Sequence, residues 1–202
     1  MQRSAGILLP VFSLPSPYGI GSLGQEARKF AQFLKEAGQT WWQILPLSPT
    51  GAGDSPYTSL STFAGNPLLI DLDLLAEDGL LTPEELEGAK VPGGTPIDYP
   101  ALYRSRDALL HQAFLRLDST CAQAVHDFAD QTPWLREYAL FRAVKSHFQE
   151  APWQAWPDEG LRRHDKAAVE HWNGVLAEDV AFHCTVQYWF FTQWAEIGRA
   201  HV

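Results

Sequence analysis

The sequence predicts an α/β fold, the beginning of a larger barrel of parallel strands that carries a mostly helical insertion. Three observations predict it. Two short apolar runs, Gly6-Ile7-Leu8-Leu9 and Trp42-Gln43-Ile44-Leu45, flank one amphipathic helical segment with short connections, so they form a βαβ unit with parallel strands. A long region of helical periodicity follows the second run, and no third strand appears before Val202. Two parallel strands do not make a self-contained sheet, because a purely parallel sheet is covered on both faces.

The elements follow in order. The first run ends at Pro10, consistent with a short buried strand. Residues 11–24 are broken by prolines and glycines into an irregular loop. Ser22 and Gln25 have capping-box spacing, which predicts that Ser22 caps the first helix. That helix carries Ala27, Phe30, Ala31, Leu34 and Ala37 on one face, and Gly38 is placed to stop it. The second strand is expected over Trp41–Leu47. Further on, Thr82-Pro83-Glu84-Glu85 combines an N-cap, a proline at the first helical position and a capping-box glutamate. Residues 90–100 form a Pro/Gly connection. Leu102, Leu109, Leu110, Ala113, Phe114 and Leu117 make one helical stripe, and Trp134, Tyr138, Phe141 and Val144 another. Pro152 to Pro157 is a loop, since each proline disfavours helix in the residue before it. The stripe Val169, Trp172, Leu176, Val180, His183, Gln187, Phe190 and Trp194 predicts a single long last helix. The expected organisation is a barrel start over 1–75, a helical insertion over 76–164, a long helix leading back over 165–196, and a non-native tail over 197–202.

Composition narrows the function classes. Hydrophobic residues make up 46% and charged residues 19% of the 202, which marks a globular chain. A net charge of −9 argues against a nucleic-acid partner or an anionic membrane surface, because both need a basic face. The N-terminus has no basic segment ahead of an apolar one, and no uncharged apolar run approaches the ~18–20 residues of a membrane span. Cys121 and Cys184 lie far apart in helical patterns and read as reduced thiols. A soluble, cytoplasmic protein is expected. Aromatics reach 12%, with eight tryptophans; such rings pack cores and also stack on pyranose faces.

The stretch 48–71, SPTGAGDSPYTSLSTFAGNPLLID, carries the most functional information. A Gly-Ala-Gly-Asp turn leads into Ser55-Pro56-Tyr57, a run of hydroxyls and Ala64-Gly65-Asn66-Pro67. A glycine- and hydroxyl-rich loop at the carboxyl end of a strand is where α/β enzymes place ligand contacts. Composition alone leaves it equally an ordinary turn-rich connection.

The residues resemble a known family. Gly6-Ile7-Leu8-Leu9 with Ser13-Leu14-Pro15 and Pro17-Tyr18-Gly19-Ile20-Gly21 resembles the start of the 4-α-glucanotransferases, the amylomaltases or disproportionating enzymes of glycoside hydrolase family 77. Trp42-Gln43-Ile44-Leu45-Pro46-Leu47 with Pro49-Thr50-Gly51 is similar to their second barrel strand and its loop. Gly53-Asp54-Ser55-Pro56-Tyr57 with Phe63-Ala64-Gly65-Asn66-Pro67 is the most diagnostic segment. Tyr138-Ala139-Leu140-Phe141, Pro152-Trp153, Trp156-Pro157 and Phe190-Phe191-Thr192-Gln193-Trp194 agree in order and spacing. The resemblance implies the N-terminal part of a (β/α)8 TIM barrel, its first two parallel strands and first helix, with a mostly helical insertion. It implies transfer of α-1,4-glucan segments between maltodextrins by a retaining double displacement. The family's nucleophile, acid/base and stabilising carboxylate belong to later strands, beyond Val202, so no catalytic residue is expected in this chain.

For binding, the resemblance carries over Tyr57 as a wall of the sugar site, with Ser55 and Asp54 beside it on the same loop. Asp54 is expected to hold the turn through backbone N–H groups, and Asn66 to form an Asx-type turn. Tyr103 matches a tyrosine of a second glucan groove in some relatives; its aromatic partner there is replaced by Ala52, and a packed helix residue is the competing reading. Maltodextrins are the expected partners. No cofactor or metal is expected, and the oligomeric state stays open. Gly19-Ile20-Gly21-Ser22-Leu23-Gly24 fits G-x-G-x-x-G, but a proline-containing loop separates it from the strand and no acidic residue closes the second strand. His183 and Cys184 read as core residues, and His164, Asp165, Glu170 and His171 lack His-Glu-x-x-His spacing.

From Ala195 to Val202 the chain departs from the family, and Gly198 is unexpected inside a helix. IGRAHV resembles a translated sequencing adapter, so a truncated reading of a longer gene with a foreign tail is expected. The alternatives are a non-catalytic glucan-binding or interaction module and another glycan-active barrel enzyme such as an α-glucan hydrolase.

Overall fold

A computed structural model describes residues 3–92 and 96–199. The chain divides into two compact units, Met1–Leu117 with Trp189–Val202, and Asp118–Tyr188.

The first unit begins with strand β1 (Gly6–Leu8), helix α1 (Gln25–Glu36) and strand β2 (Trp41–Gln43). The strands pair in parallel as predicted, with Gly6, Ile7 and Leu8 opposite Trp41, Trp42 and Gln43. Backbone bonds from Thr40 to Ala5 (2.9 Å) and from Leu9 to Gln43 (3.0 Å) extend the pairing by one residue at each end. The second strand is shorter than the expected Trp41–Leu47. Its partner turns away at Pro10, which has no N–H to continue the ladder, and enters a 3-10 turn at Val11–Ser13. α1 buries Ala27, Ala31 and Leu34 and sets Phe30 edge-on to Trp42 at 5.0 Å. The Trp42 indole donates to the Leu9 carbonyl at 2.7 Å, tying β2 to the end of β1.

α1 stops as predicted. Gly38 adopts φ +68°, and the N–H groups of Gly38 and Gln39 return to the carbonyls of Lys35 and Leu34. Its start differs from prediction. The N-cap is Gly24 with no side-chain cap, and the Ser22 hydroxyl donates instead to Asp71 Oδ2 at 2.6 Å. The Asp71 carboxylate occupies the space that a side chain at Gly24 would need, a position favourable for an anion beside a helix N-terminus.

Among the described residues three further helices follow: α2 (Leu72–Glu77), α3 (Pro83–Ala89) and α4 (Tyr99–Leu115). Asp71 caps α2 through Leu74 N at 3.1 Å, and Asp98 caps α4 through Ala101 N at 3.0 Å. α3 shows the predicted capping box, with Thr82 and Glu85 satisfying each other's backbone N–H. The last helix returns to this unit: the buried Gln193 side chain bonds both the N–H and the carbonyl of Asp71, at 2.8 and 3.1 Å. The buried Arg106 on α4 donates to the neighbouring Ile70 carbonyl at 3.4 Å. Burial, partly offset by Asp71, pulls its guanidinium down to about 10.

The second unit is helical: α5 (Ser119–Gln131), α6 (Leu135–His147), α7 (Glu159–Arg162), α8 (Lys166–Val175) and the first part of α9 (Ala177–Arg199). Its core includes Leu135, Ala139, Ala143, Val144, Trp156, Leu161, Leu176 and Cys184. The predicted loop at Pro152–Pro157 contains a 3-10 turn, Trp153–Ala155. The stripe expected as one helix from Val169 is two helices, broken at Leu176 (φ −109°, ψ 29°), whose side chain is buried in this core. No disulfide joins Cys121 and Cys184, and burial raises the Cys184 thiol to about 11. Of the tail expected as non-native, residues 197–199 continue α9 and residues 200–202 lie outside the described residues. Among the described residues no helix is long and apolar enough to cross a membrane.

Candidate functional site

The loop that leaves β2 is built on its own backbone and hydroxyls. Thr50 and Ser59 form an antiparallel bridge that closes residues 51–58 into a lobe. Gly51 lies against the Thr58 carbonyl, where an added Cβ would sit 2.4 Å from the oxygen, so only glycine fits this base. The lobe turns through Gly53 and Asp54, both at positive φ (+74° and +55°). A non-glycine residue in that region costs roughly 1–2 kcal/mol and needs fixed surroundings.

The hydroxyl run serves the backbone. Ser55 Oγ accepts from Tyr57 N at 3.2 Å, Ser59 Oγ from Ser61 N at 3.2 Å, and Ser61 Oγ from Phe63 N and Ala64 N at 3.2 and 3.1 Å. Such Ser turns give a short loop a defined shape without a strand partner. Asn66 ends the loop. It donates from N to the Leu47 carbonyl at 2.7 Å, and its Oδ1 accepts from Leu68 N at 3.0 Å, which is the expected Asx-type turn.

On this frame Tyr57 is 73% exposed and Phe63 64% exposed. Rings held open to solvent on a shaped loop can pack on the apolar face of a sugar, and the Tyr57 hydroxyl adds a donor and an acceptor. Phe63 is a second exposed aromatic on this loop, beyond the site residues that the sequence motifs indicate. Its signal was present: an aromatic in a hydroxyl-rich loop with no helical or strand period to bury it.

Asp54 and Tyr103 meet, which no spacing rule indicates across 49 residues. The Tyr103 hydroxyl on α4 donates to Asp54 Oδ1 at 2.8 Å and lies 2.6 Å from Thr50 Oγ1. Tyr103 also stands beside Tyr99, ring centroids 6.2 Å apart at a 36° tilt. Burial first, and then the Asp54 carboxylate, raise the Tyr103 hydroxyl above its ordinary range; the same two causes raise Tyr99. Asp54 thus accepts a side-chain hydroxyl from α4. The side chain of Ala52, which bears on a second groove, lies outside the described residues.

A second polar cluster lies under the first loop. The Tyr18 hydroxyl donates to Asp73 Oδ1, near Asp71 and Arg106. Burial, then Asp73, raises the Tyr18 hydroxyl well above its ordinary range, so it stays protonated and acts as a tether. Among the described residues no group of three His, Cys, Asp or Glu could hold a metal ion.

Known proteins match this chain along nearly its whole length. A model of the 4-alpha-glucanotransferase family matches residues 9–201. The 4-alpha-glucanotransferase of Thermus thermophilus is 45% identical over 202 residues, covering 98% of this chain and 39% of that protein. That of Aquifex aeolicus is 44% identical over 201 residues, covering 98% and 40%. Among solved structures, the amylomaltase of Streptococcus agalactiae in complex with acarbose superposes with a TM-score of 0.93 at 35% identity, covering 99% of this chain and 41% of that one. The chain spans about 39% of the length of the Thermus thermophilus and Streptococcus pneumoniae 4-alpha-glucanotransferases. It belongs to the 4-alpha-glucanotransferase family.

Proposed function

We propose that the whole protein containing this chain is a cytoplasmic 4-α-glucanotransferase with a (β/α)8 barrel, which moves α-1,4-glucan segments between maltodextrins. The observation that carries the reading is Tyr57, open to solvent on a hydroxyl-braced loop at the carboxyl end of a parallel strand, in a chain of this family. Acarbose bound to the Streptococcus agalactiae amylomaltase supports an oligosaccharide ligand. Cys121 and Cys184 as thiols, the state a reducing compartment keeps, support the compartment.

In this reading the chemistry is a double displacement. A carboxylate attacks the anomeric carbon as the glycosidic C–O bond breaks, and a carboxylic acid gives its proton to the leaving 4-oxygen. The 4-hydroxyl of a second glucan then attacks the glucosyl-enzyme, returning its proton to the same group and releasing the nucleophile. We assign those carboxylates to sequence beyond Val202. To this chain we assign one wall of the sugar site, with Tyr57 stacking on a pyranose ring and Ser55 within reach of its hydroxyls.

Incubation with maltotriose tests the reading. The whole protein is expected to yield glucose together with maltodextrins longer than the substrate. Glucose and maltose without longer products would indicate hydrolysis and overturn the transferase reading. The 202-residue chain alone is expected to show no turnover. Transfer by this chain alone would overturn the assignment of the carboxylates.

A further inference from the structure

The Tyr103 hydroxyl grips the loop at two points. Thr50, 2.6 Å away, is the base of the lobe, paired with Ser59. Asp54, at 2.8 Å, is its turn, in the left-handed conformation that needs outside support. The next residue, Ser55, accepts from Tyr57 N and, through its carbonyl, from Thr58 N. An unbroken sequence of bonds therefore runs from α4 through Asp54 and Ser55 to the backbone of Tyr57. The α4 end is firm: Asp98 caps the helix, and Leu102 and Arg106 on either side of Tyr103 are buried. The Tyr57 ring has no such anchor, being 73% exposed.

We propose that Tyr103 is a positioning residue, whose hydroxyl fixes the 50–59 loop from helix α4 and so presents Tyr57 to the glucan. The proposal rests on the glucan reading above and assigns Tyr103 a role through its hydroxyl instead of its ring. Its raised hydroxyl stays protonated across the neutral range, so it can donate to the Asp54 carboxylate throughout. Asp54 is then the acceptor that holds the turn.

Tyr103→Phe separates the two roles, since it keeps the ring and removes only the hydroxyl. In the whole protein, hydrogen exchange followed by mass spectrometry is expected to show the segment at Tyr57 and Thr58 exchanging roughly tenfold faster in Tyr103→Phe, with α1 unchanged as the internal control. The kcat/KM for maltotriose is expected to fall roughly tenfold, and Tyr103→Phe to cost nothing further once Tyr57→Ala is present, because the hydroxyl acts through Tyr57. Asp54→Asn, which keeps a carbonyl acceptor, should retain more activity than Asp54→Ala. Unchanged exchange in Tyr103→Phe overturns the anchor, whether or not sugar is bound. Losses that add fully in the double variant overturn its action through Tyr57. A Tyr103→Phe enzyme as active as the wild type beside a weakened Tyr103→Ala enzyme assigns the role to the ring and overturns the proposal. A wild-type protein that neither binds nor turns over maltotriose overturns the functional reading, and the exchange measurement still decides whether Tyr103 anchors the loop.

Discussion

Gly65 has no room for a methyl group. An added Cβ would stand 2.0 Å from Phe190 Cδ1 and 2.2 Å from its Cγ, and Phe190 is a buried ring of the last helix. The loop's far end is therefore set by a contact between residues distant in sequence, and the glycine in Ala64-Gly65-Asn66-Pro67 is a packing requirement. Gly65→Ala is expected to force the ring aside at about 1–3 kcal/mol, the usual cost of overpacking a filled core. Equilibrium urea unfolding would register this as a lower midpoint, and an unmoved midpoint would refute it. Tyr57 poses the opposite case, because its exposed ring contributes little to the fold. Tyr57→Ala should leave the unfolding midpoint unchanged and weaken maltodextrin binding roughly tenfold, about 1.4 kcal/mol. Calorimetric titration with a maltodextrin measures the second quantity, and undiminished affinity would remove Tyr57 from the sugar site.

At the scale of elements, Glu85 joins the start of α3 to the end of α4. That carboxylate completes the capping box and receives two bonds from Arg116 at the end of α4, at 2.7 and 2.8 Å. The Arg116 bonds first, and then the Thr82 N–H, lower its pKa from 4.5 to about 2. A carboxylate with a depressed folded-state pKa stabilises the fold above its unfolded value, and the contribution fades as protons return on acidification. Stability from this group is thus present above pH 4.5 and lost as the pH falls toward 2. Glu85→Gln should flatten the acid limb of stability measured by urea midpoints between those values, and an identical acid limb in both proteins would contradict the assignment. The cap was legible in the sequence because it is made within four residues. The Ser22 cap was misread because the Asp71 carboxylate, 49 residues away, takes the hydroxyl. The length of β2 was misread for a similar reason, since a strand ends where its partner leaves, and β1 leaves at Pro10. The break at Leu176 was invisible because the 3.6-residue period runs through it unchanged.

For the whole molecule, the parallel βαβ start, the helical remainder and the loop that bears Tyr57 were legible, since each rests on local periodicity or on a motif. The Asp54–Tyr103 bond was not, because it depends on where α4 comes to lie beside the loop. Exposure of the sheet was legible in the strand count, since two strands of a barrel leave an open edge, although periodicity alone reads apolar strands as buried. Trp41 is 66% and Leu8 55% exposed, and Ile7 is exposed with them. Among the described residues β1 and β2 have only each other as ladder partners, so each presents an outer edge of unpaired backbone groups beside apolar side chains. Such edges pair with other chains, and a net charge of −9 repels copies only over a Debye length of about 8 Å at physiological salt. The 202-residue chain alone should therefore associate with itself at roughly micromolar concentration and above. Sedimentation velocity across a hundredfold range of concentration would show this as a rising weight-average coefficient. Leu8→Lys should suppress the rise, because a charge on an exposed edge strand opposes pairing while leaving the buried side chains of α1 untouched. A concentration-independent monomer would refute the edge argument. Association that Leu8→Lys leaves unchanged would place the contact elsewhere on the chain.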